Sequence, residues 1–235
     1  MENPNHNGEY VDCTSDKPSV LLAMMHKSRI DPRFLTTYTT LLMRTASEIR
    51  LGIHQGFGAG IDKVRNNAVK NCLSGDYTHL FFLDDDTLPR PDAILRLLKH
   101  DLPIVSGLYC RRSEPHYPII INMNRDNRKV LGFTYPYEMN PPKDKLVECD
   151  AVGAGCLLIK REVFEKMPQP WFKVGQYHGE DIYFCLQAKE AGYKILVDTG
   201  VECMHVVEHI VASRPELIDE FEKEYGYRID YGAAG

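Results

Sequence analysis

The chain is expected to fold as one α/β domain, a helix-flanked parallel sheet that runs on into a mixed sheet. Three observations predict this. Short apolar runs alternate with stretches of helical periodicity through the first half of the chain. From residue 117 to residue 160 the strand signals crowd together (YPIIINM, KVLGFTY, LVECDAV, GCLLIK), separated by polar or proline-rich turns such as MNPPKDK. No linker separates the two patterns, so residues 18–235 are read as a single domain behind a polar leader, 1–17. Its parts are a first half (18–110), a second half (111–210) and a C-terminal helix and tail (211–235).

The elements follow in order. VLLAMM (20–25) is a buried strand, and DPRFLTTYTTLLMRTA places Phe34, Tyr38, Leu41, Leu42 and Ala46 at helical spacing. EIRLGIHQ is a short strand, GFGAG (56–60) a glycine-rich turn, and IDKVRNNAVKNCL a helix with Ile61, Val64, Ala68, Val69 and Cys72 on one face. THLFFLD is the next strand, PDAILRLLKH the next helix with Pro91 in its first turn, and LPIVSGLYC a strand again. No helix of useful length fits the second half before Arg161. A helix is expected at about 179–191, closed by Gly192, then strands KILVD and VECMHV, then a charged helix at about 215–225.

Composition narrows the function. Apolar residues are 43% and charged residues 26% of 235, ordinary for a globular enzyme, and a net charge of −5 gives no basic footprint for nucleic acid or an anionic membrane. No apolar run approaches the roughly 20 residues of a membrane span, and the leader is too polar for a signal peptide. The seven cysteines are scattered without a C-x-x-C pair, which argues against zinc and for a reducing, cytoplasmic setting.

The chemistry gathers where THLFFL meets Asp84, Asp85 and Asp86. Ligands of α/β sheets bind beyond the carboxyl ends of the strands, and adjacent carboxylates there await a cation. With extended geometry maintained, Asp84 and Asp86 face one side and Asp85 the other. One-sided carboxylates suit Mg²⁺ or Mn²⁺; a solvated acidic turn is the plain alternative. HGED (178–181) puts Glu180 and Asp181 at a helix start, fit either for a general base or for ordinary capping. His205 ends a late strand, where a histidine serves as a ligand or as a satisfied edge residue.

Taken in order, Arg65–Asn66, D-x-D (Asp84, Asp86), V-G-A-G-C (152–156), G-E-D (179–181), A-G-Y (191–193) and His205 resemble the GT-A glycosyltransferases, especially the family 2-like group that uses nucleotide-sugar donors. The resemblance covers residues 18–206. It implies a GT-A fold, with 18–110 as the nucleotide-sugar half and 111–210 as the acceptor and metal half. It further implies a UDP- or GDP-sugar donor contacted by Arg65, Asp84, Asp85 and Gly153, and Mn²⁺ or Mg²⁺ held by Asp86 and His205 with Asp84. His209 is the weaker substitute for His205. Asp181, with Glu180 beside it, becomes the base of an inverting transfer; a retaining transfer or a non-catalytic nucleotide-sugar-binding module are the alternatives. Gly153 and Gly155 leave room for the sugar or form a tight turn. Trp171, Tyr177 and His178 are acceptor-side candidates, Trp171 otherwise pinning its loop to the core. Asp31 is the one acidic residue near the first strand available to read the donor's base. The acceptor stays open among small molecule, glycan, protein and modified DNA base. A nucleotidyltransferase is disfavoured because AMMHKSRIDP lacks a glycine-rich phosphate loop, and a two-metal nuclease because the charge gives no basic groove.

Overall fold

The computed structural model describes residues 18–26, 30–58, 60–123, 137–138, 140–176, 178–206, 210–211, 213–214 and 216–225. KVLGFTY, Tyr177, His209 and the leader lie outside them. In chain order the elements begin β1 (Ser19–His26), α1 (Pro32–Ala46), β2 (Arg50–Phe57), α2 (Ile61–Ser74), β3 (His79–Asp84), β4 (Thr87–Leu88), α3 (Ala93–Leu98) and β5 (Ile104–Leu108). They continue β6 (Ile120–Ile121), β7 (Leu146–Cys149), β8 (Ala151–Val152), β9 (Cys156–Lys160), α4 (Arg161–Lys166), α5 (Glu180–Glu190), β10 (Ile195–Glu202), β11 (Met204–Val206), β12 (Ile210–Val211) and α6 (Glu216–Tyr225).

The centre is a seven-stranded sheet in the order β2-β1-β3-β9-β5-β10-β7, flanked by small β12-β11-β4 and β6-β8 sheets. β2, β1 and β3 pair in parallel, as do β5 and β10, whereas β9 is antiparallel to both β3 and β5 and β7 antiparallel to β10. This is the mixed, mostly parallel α/β architecture of the expected fold class. One detail departs from the two-halves expectation: β9, from the strand-rich half, inserts into the middle of the parallel set. Its CLLI stretch is apolar throughout and buried, as a strand covered on both faces must be, and the charge comes only at Lys160 where the strand ends.

The period of two along each strand builds two cores. Leu21, Ala23, Met25, Leu80 and Phe82 face α2, α4 and α5, while Val20, Leu22, Met24, Phe81 and Leu83 face α1 and α3. By the same parity Asp84 follows Leu80 and Phe82 onto the α2–α5 side. Helix α1 starts as its sequence requires, with Pro32 in the first turn and Asp31 accepting from the Arg33 N–H at 2.8 Å. Gly192 closes α5 at φ +87°, a left-handed conformation suited to glycine. Among the described residues no helix is long and apolar enough to cross a membrane, and the six described cysteines are buried free thiols.

Candidate functional site

A cleft of about 430 Å³ opens beyond the carboxyl ends of β1, β2 and β3. Asp84, Asp85, Asp86, Arg65, Glu180 and Asp181 all border it, so the acid cluster and the G-E-D acids share one cavity. His26 also lines it and is stacked on Phe57 at 5.0 Å between ring centroids, and Phe57 is 64% exposed.

Strand geometry ends at Asp84; residues 85 and 86 form a turn into β4. Asp84 and Asp86 therefore take different partners. Asp84 Oδ1 accepts from the Arg65 guanidinium at 2.8 Å, and Arg65 Nε donates to Glu180 Oε1 at 2.9 Å. Arg65 is 2% exposed and lies over the Phe82 ring, at 5.2 Å to its centroid. Burial works against its charge, yet Asp84 and Glu180 hold its proton above the ordinary guanidinium range. Burial also pushes Asp84 up, against the pull of Arg65. Arg65 is thus committed to two carboxylates of the cleft wall, and Glu180 is tied to it.

Asp86 sits between two cations. Its Oδ1 lies 3.1 Å from His205 Nε2 and its Oδ2 lies 2.8 Å from an Arg112 nitrogen. The small sheet makes the first contact possible: β11 pairs with β4 with His205 opposite Thr87, and the Val206 N–H donates to the Asp86 carbonyl at 2.7 Å. His205 Nδ1 is 2.7 Å from the Cys110 carbonyl, so that nitrogen carries the proton. Nε2 and a carboxylate oxygen then face each other, an arrangement stable only with a proton or a cation between them. Burial alone would raise the Asp86 pKa, but hydrogen bonding and charge from His205, with Arg112, bring it below the ordinary value. Among the described residues no three His, Cys, Asp or Glu side chains gather to hold a metal ion. A carboxylate and an imidazole oriented by a backbone carbonyl do fit an ion that takes its other ligands from substrate phosphates and water.

Asp181 occupies the opposite wall. Its Oδ1 accepts from the Ile182 N–H at 2.7 Å. Burial, with the neighbouring Glu180 charge, pushes its carboxyl up to about 7. Gly153 abuts it: a Cβ there would lie 3.5 Å from Asp181 Oδ2 and 2.1 Å from the Tyr109 hydroxyl. The room at Gly153 thus holds Tyr109, whose hydroxyl accepts from the Gly155 N–H at 2.8 Å and whose ring meets His205 edge-on at 5.6 Å.

Trp171 takes the role of loop pin. It is 2% exposed, packs on Phe164, and donates its indole N–H to the Phe164 carbonyl at 2.9 Å, so no ring face is offered to an acceptor. His178 faces Tyr183 at 5.9 Å between rings, and Asp31 is committed to Arg33 and the start of α1. Asn66 fixes the same loop from α2: its oxygen accepts from the N–H groups of Trp171 and Phe172, and its amide donates to the Phe172 carbonyl at 2.6 Å. Asn66→Ala is expected to cost about 1–3 kcal/mol by stranding these backbone groups, measured by urea unfolding. Exposed Asn67→Ala is the control, expected within about 0.5 kcal/mol of the parent.

Sequence reading missed Arg112, Tyr109 and the His26–Phe57 stack. The doubled arginine in YCRRS, just past a buried strand, was the available signal for the first.

No protein-family model matches the chain. The chain is similar to galactofuranosyltransferase GlfT2 of Mycobacterium tuberculosis, 28% identical over an alignment of 183 residues that covers 67% of this chain. It spans only 28% of the length of that relative. Among solved structures, A197 from STIV superposes with a TM-score of 0.60 at 16% identity over 92% of this chain and all of that one, which shows a shared fold. GalNAc-T7, solved with UDP, GalNAc and Mn²⁺, superposes with a TM-score of 0.49 at 10% identity over 84% of this chain and 45% of that one.

Proposed function

We propose that the cleft transfers a sugar from a nucleoside-diphosphate donor to an acceptor hydroxyl, with a divalent cation at Asp86 and His205 and Asp181 as the base of an inverting reaction. The observation that carries this reading is that one cavity is bordered both by Asp86, which is paired with His205, and by Asp181, whose carboxyl is pushed up to about 7. The similarity to a galactofuranosyltransferase supports the reaction class. A purely binding module would have been supported by G-E-D turned away from the acid cluster, and Glu180 and Asp181 instead border the same cavity.

In this reading Arg65 holds Asp84 and Glu180 in fixed positions. The His26–Phe57 stack offers an aromatic face for the donor's base, UDP or GDP. Asp181 takes the acceptor's proton as the hydroxyl attacks the anomeric carbon, and a carboxyl with a pKa near 7 is well matched to that task. The bound cation, Mn²⁺ or Mg²⁺, would neutralise charge growing on the leaving diphosphate. Asp85, bordering the cleft, is assigned to the donor side. The acceptor would approach beside Asp181, its class open among small molecule, glycan, protein and modified DNA base.

Chelation is the test. EDTA is expected to abolish turnover and excess Mn²⁺ or Mg²⁺ to restore it; full activity in EDTA would remove the cation from the account. Asp86→Ala should abolish cation-dependent UDP or GDP binding measured by calorimetry.

A further inference from the structure

Asp86 has two carboxylate oxygens, and both are engaged. The two partners differ in how readily they can leave. His205 is buried, held by the Cys110 carbonyl at 2.7 Å and backed by the Tyr109 ring. Arg112 lies outside helix and strand, on the turn that follows β5, and its side chain is 53% exposed. Its ion pair with Asp86 at 2.8 Å also borders the cleft. A cation held between Asp86 and His205 draws on a carboxylate whose charge Arg112 already shares, and the exposed, solvated partner is the one that yields. A guanidinium released there stays within a side-chain swing of whatever anion the cation brings, and its planar fork matches phosphate oxygens.

We infer that Arg112 is an exchangeable clamp, which pairs with Asp86 until a divalent cation displaces it and then pairs with the diphosphate of the donor. This rests on the transferase reading of the cleft and adds a residue with two opposed effects: Arg112 weakens the cation alone and strengthens the cation–diphosphate complex. An ordinary structural salt bridge would weaken the cation too, but it would not strengthen the cation–diphosphate complex.

The experiment is calorimetric titration with Mn²⁺ alone, and then with inorganic pyrophosphate or UDP in saturating Mn²⁺, of the parent, Arg112→Gln, Arg112→Lys, Arg111→Gln and Asp86→Ala. Losing an ion pair this exposed should tighten Mn²⁺ about threefold in Arg112→Gln. Losing a charge-assisted contact should weaken pyrophosphate and UDP about tenfold, with Arg112→Lys recovering part of that loss. Arg111, paired with Ser113 and lying over Tyr137, controls for the general positive field, and its variant should not tighten Mn²⁺. Asp86-dependent Mn²⁺ binding that Arg112→Gln leaves unchanged, with pyrophosphate and UDP equally unaffected, overturns the clamp and spares the cation site. Absence of Asp86-dependent Mn²⁺ binding in the parent overturns both.

Discussion

Asp181→Asn is expected to lower sugar transfer by about 100-fold or more, the scale of losing a general base, with cation and donor affinity nearly unchanged. The isosteric amide keeps the contact that Oδ1 makes with the Ile182 N–H and removes the proton acceptor. Glu180→Gln, the adjacent control, acts differently because its carboxylate is bound to Arg65 at 2.9 Å: it should disturb the cleft wall and stability rather than the proton step alone. Parent activity should rise with pH through about 7 as Asp181 ionises, and Asp181→Asn should lose that limb. Stability gives an independent readout with a definite sign. A carboxyl raised from 3.8 to about 7 binds more protons folded than unfolded between those values, so its ionisation lowers stability as pH rises through that window. Asp181→Asn should therefore melt higher than the parent at pH 8, by at least roughly 2 °C, and converge with it near pH 4. Equal rates for both proteins would reduce G-E-D to a helix start.

Arg65→Met should be the most destabilising single change in the cleft, at about 3–5 kcal/mol. The side chain is replaced at similar length, and Asp84 and Glu180 are left facing each other without the cation between them. Arg65→Lys should recover only part of the loss, since one ammonium cannot reproduce donation to Glu180, Asp84 and the Ala154 carbonyl from a planar fork. Urea unfolding at pH 7 checks both. If Arg65→Met unfolds within about 1 kcal/mol of the parent, Arg65 is not what holds the two carboxylates in place.

Much of the fold was legible because its signals are local. Continuous apolar runs in VLLAMM and THLFFL marked two buried strands, and the helical spacing of Val64, Ala68, Val69 and Cys72 marked α2. The place of β9 was not legible: strand order is a long-range choice, and CLLIK reads equally well in any fully covered position. The site divides in the same way. The acids at 84–86 and 180–181 announced themselves by type and position. Their partners did not. A two-residue turn after Asp84 undid the expected shared direction of Asp84 and Asp86, sending one to Arg65 and the other to His205 and Arg112. Sequence alone left Trp171 open between acceptor contact and loop pin, because an aromatic in a loop before an acid pair carries no mark of burial. Its pinning contacts come from Asn66 and Phe164, one of them on a distant helix.

The most direct measurement is release of nucleoside diphosphate from a panel of UDP- and GDP-sugars in Mn²⁺, comparing the parent with Asp86→Ala. The account predicts that the parent releases diphosphate from at least one donor and that Asp86→Ala abolishes the release. Release that persists undiminished in Asp86→Ala, or a parent that cleaves none of the donors while binding none of them, would contradict it.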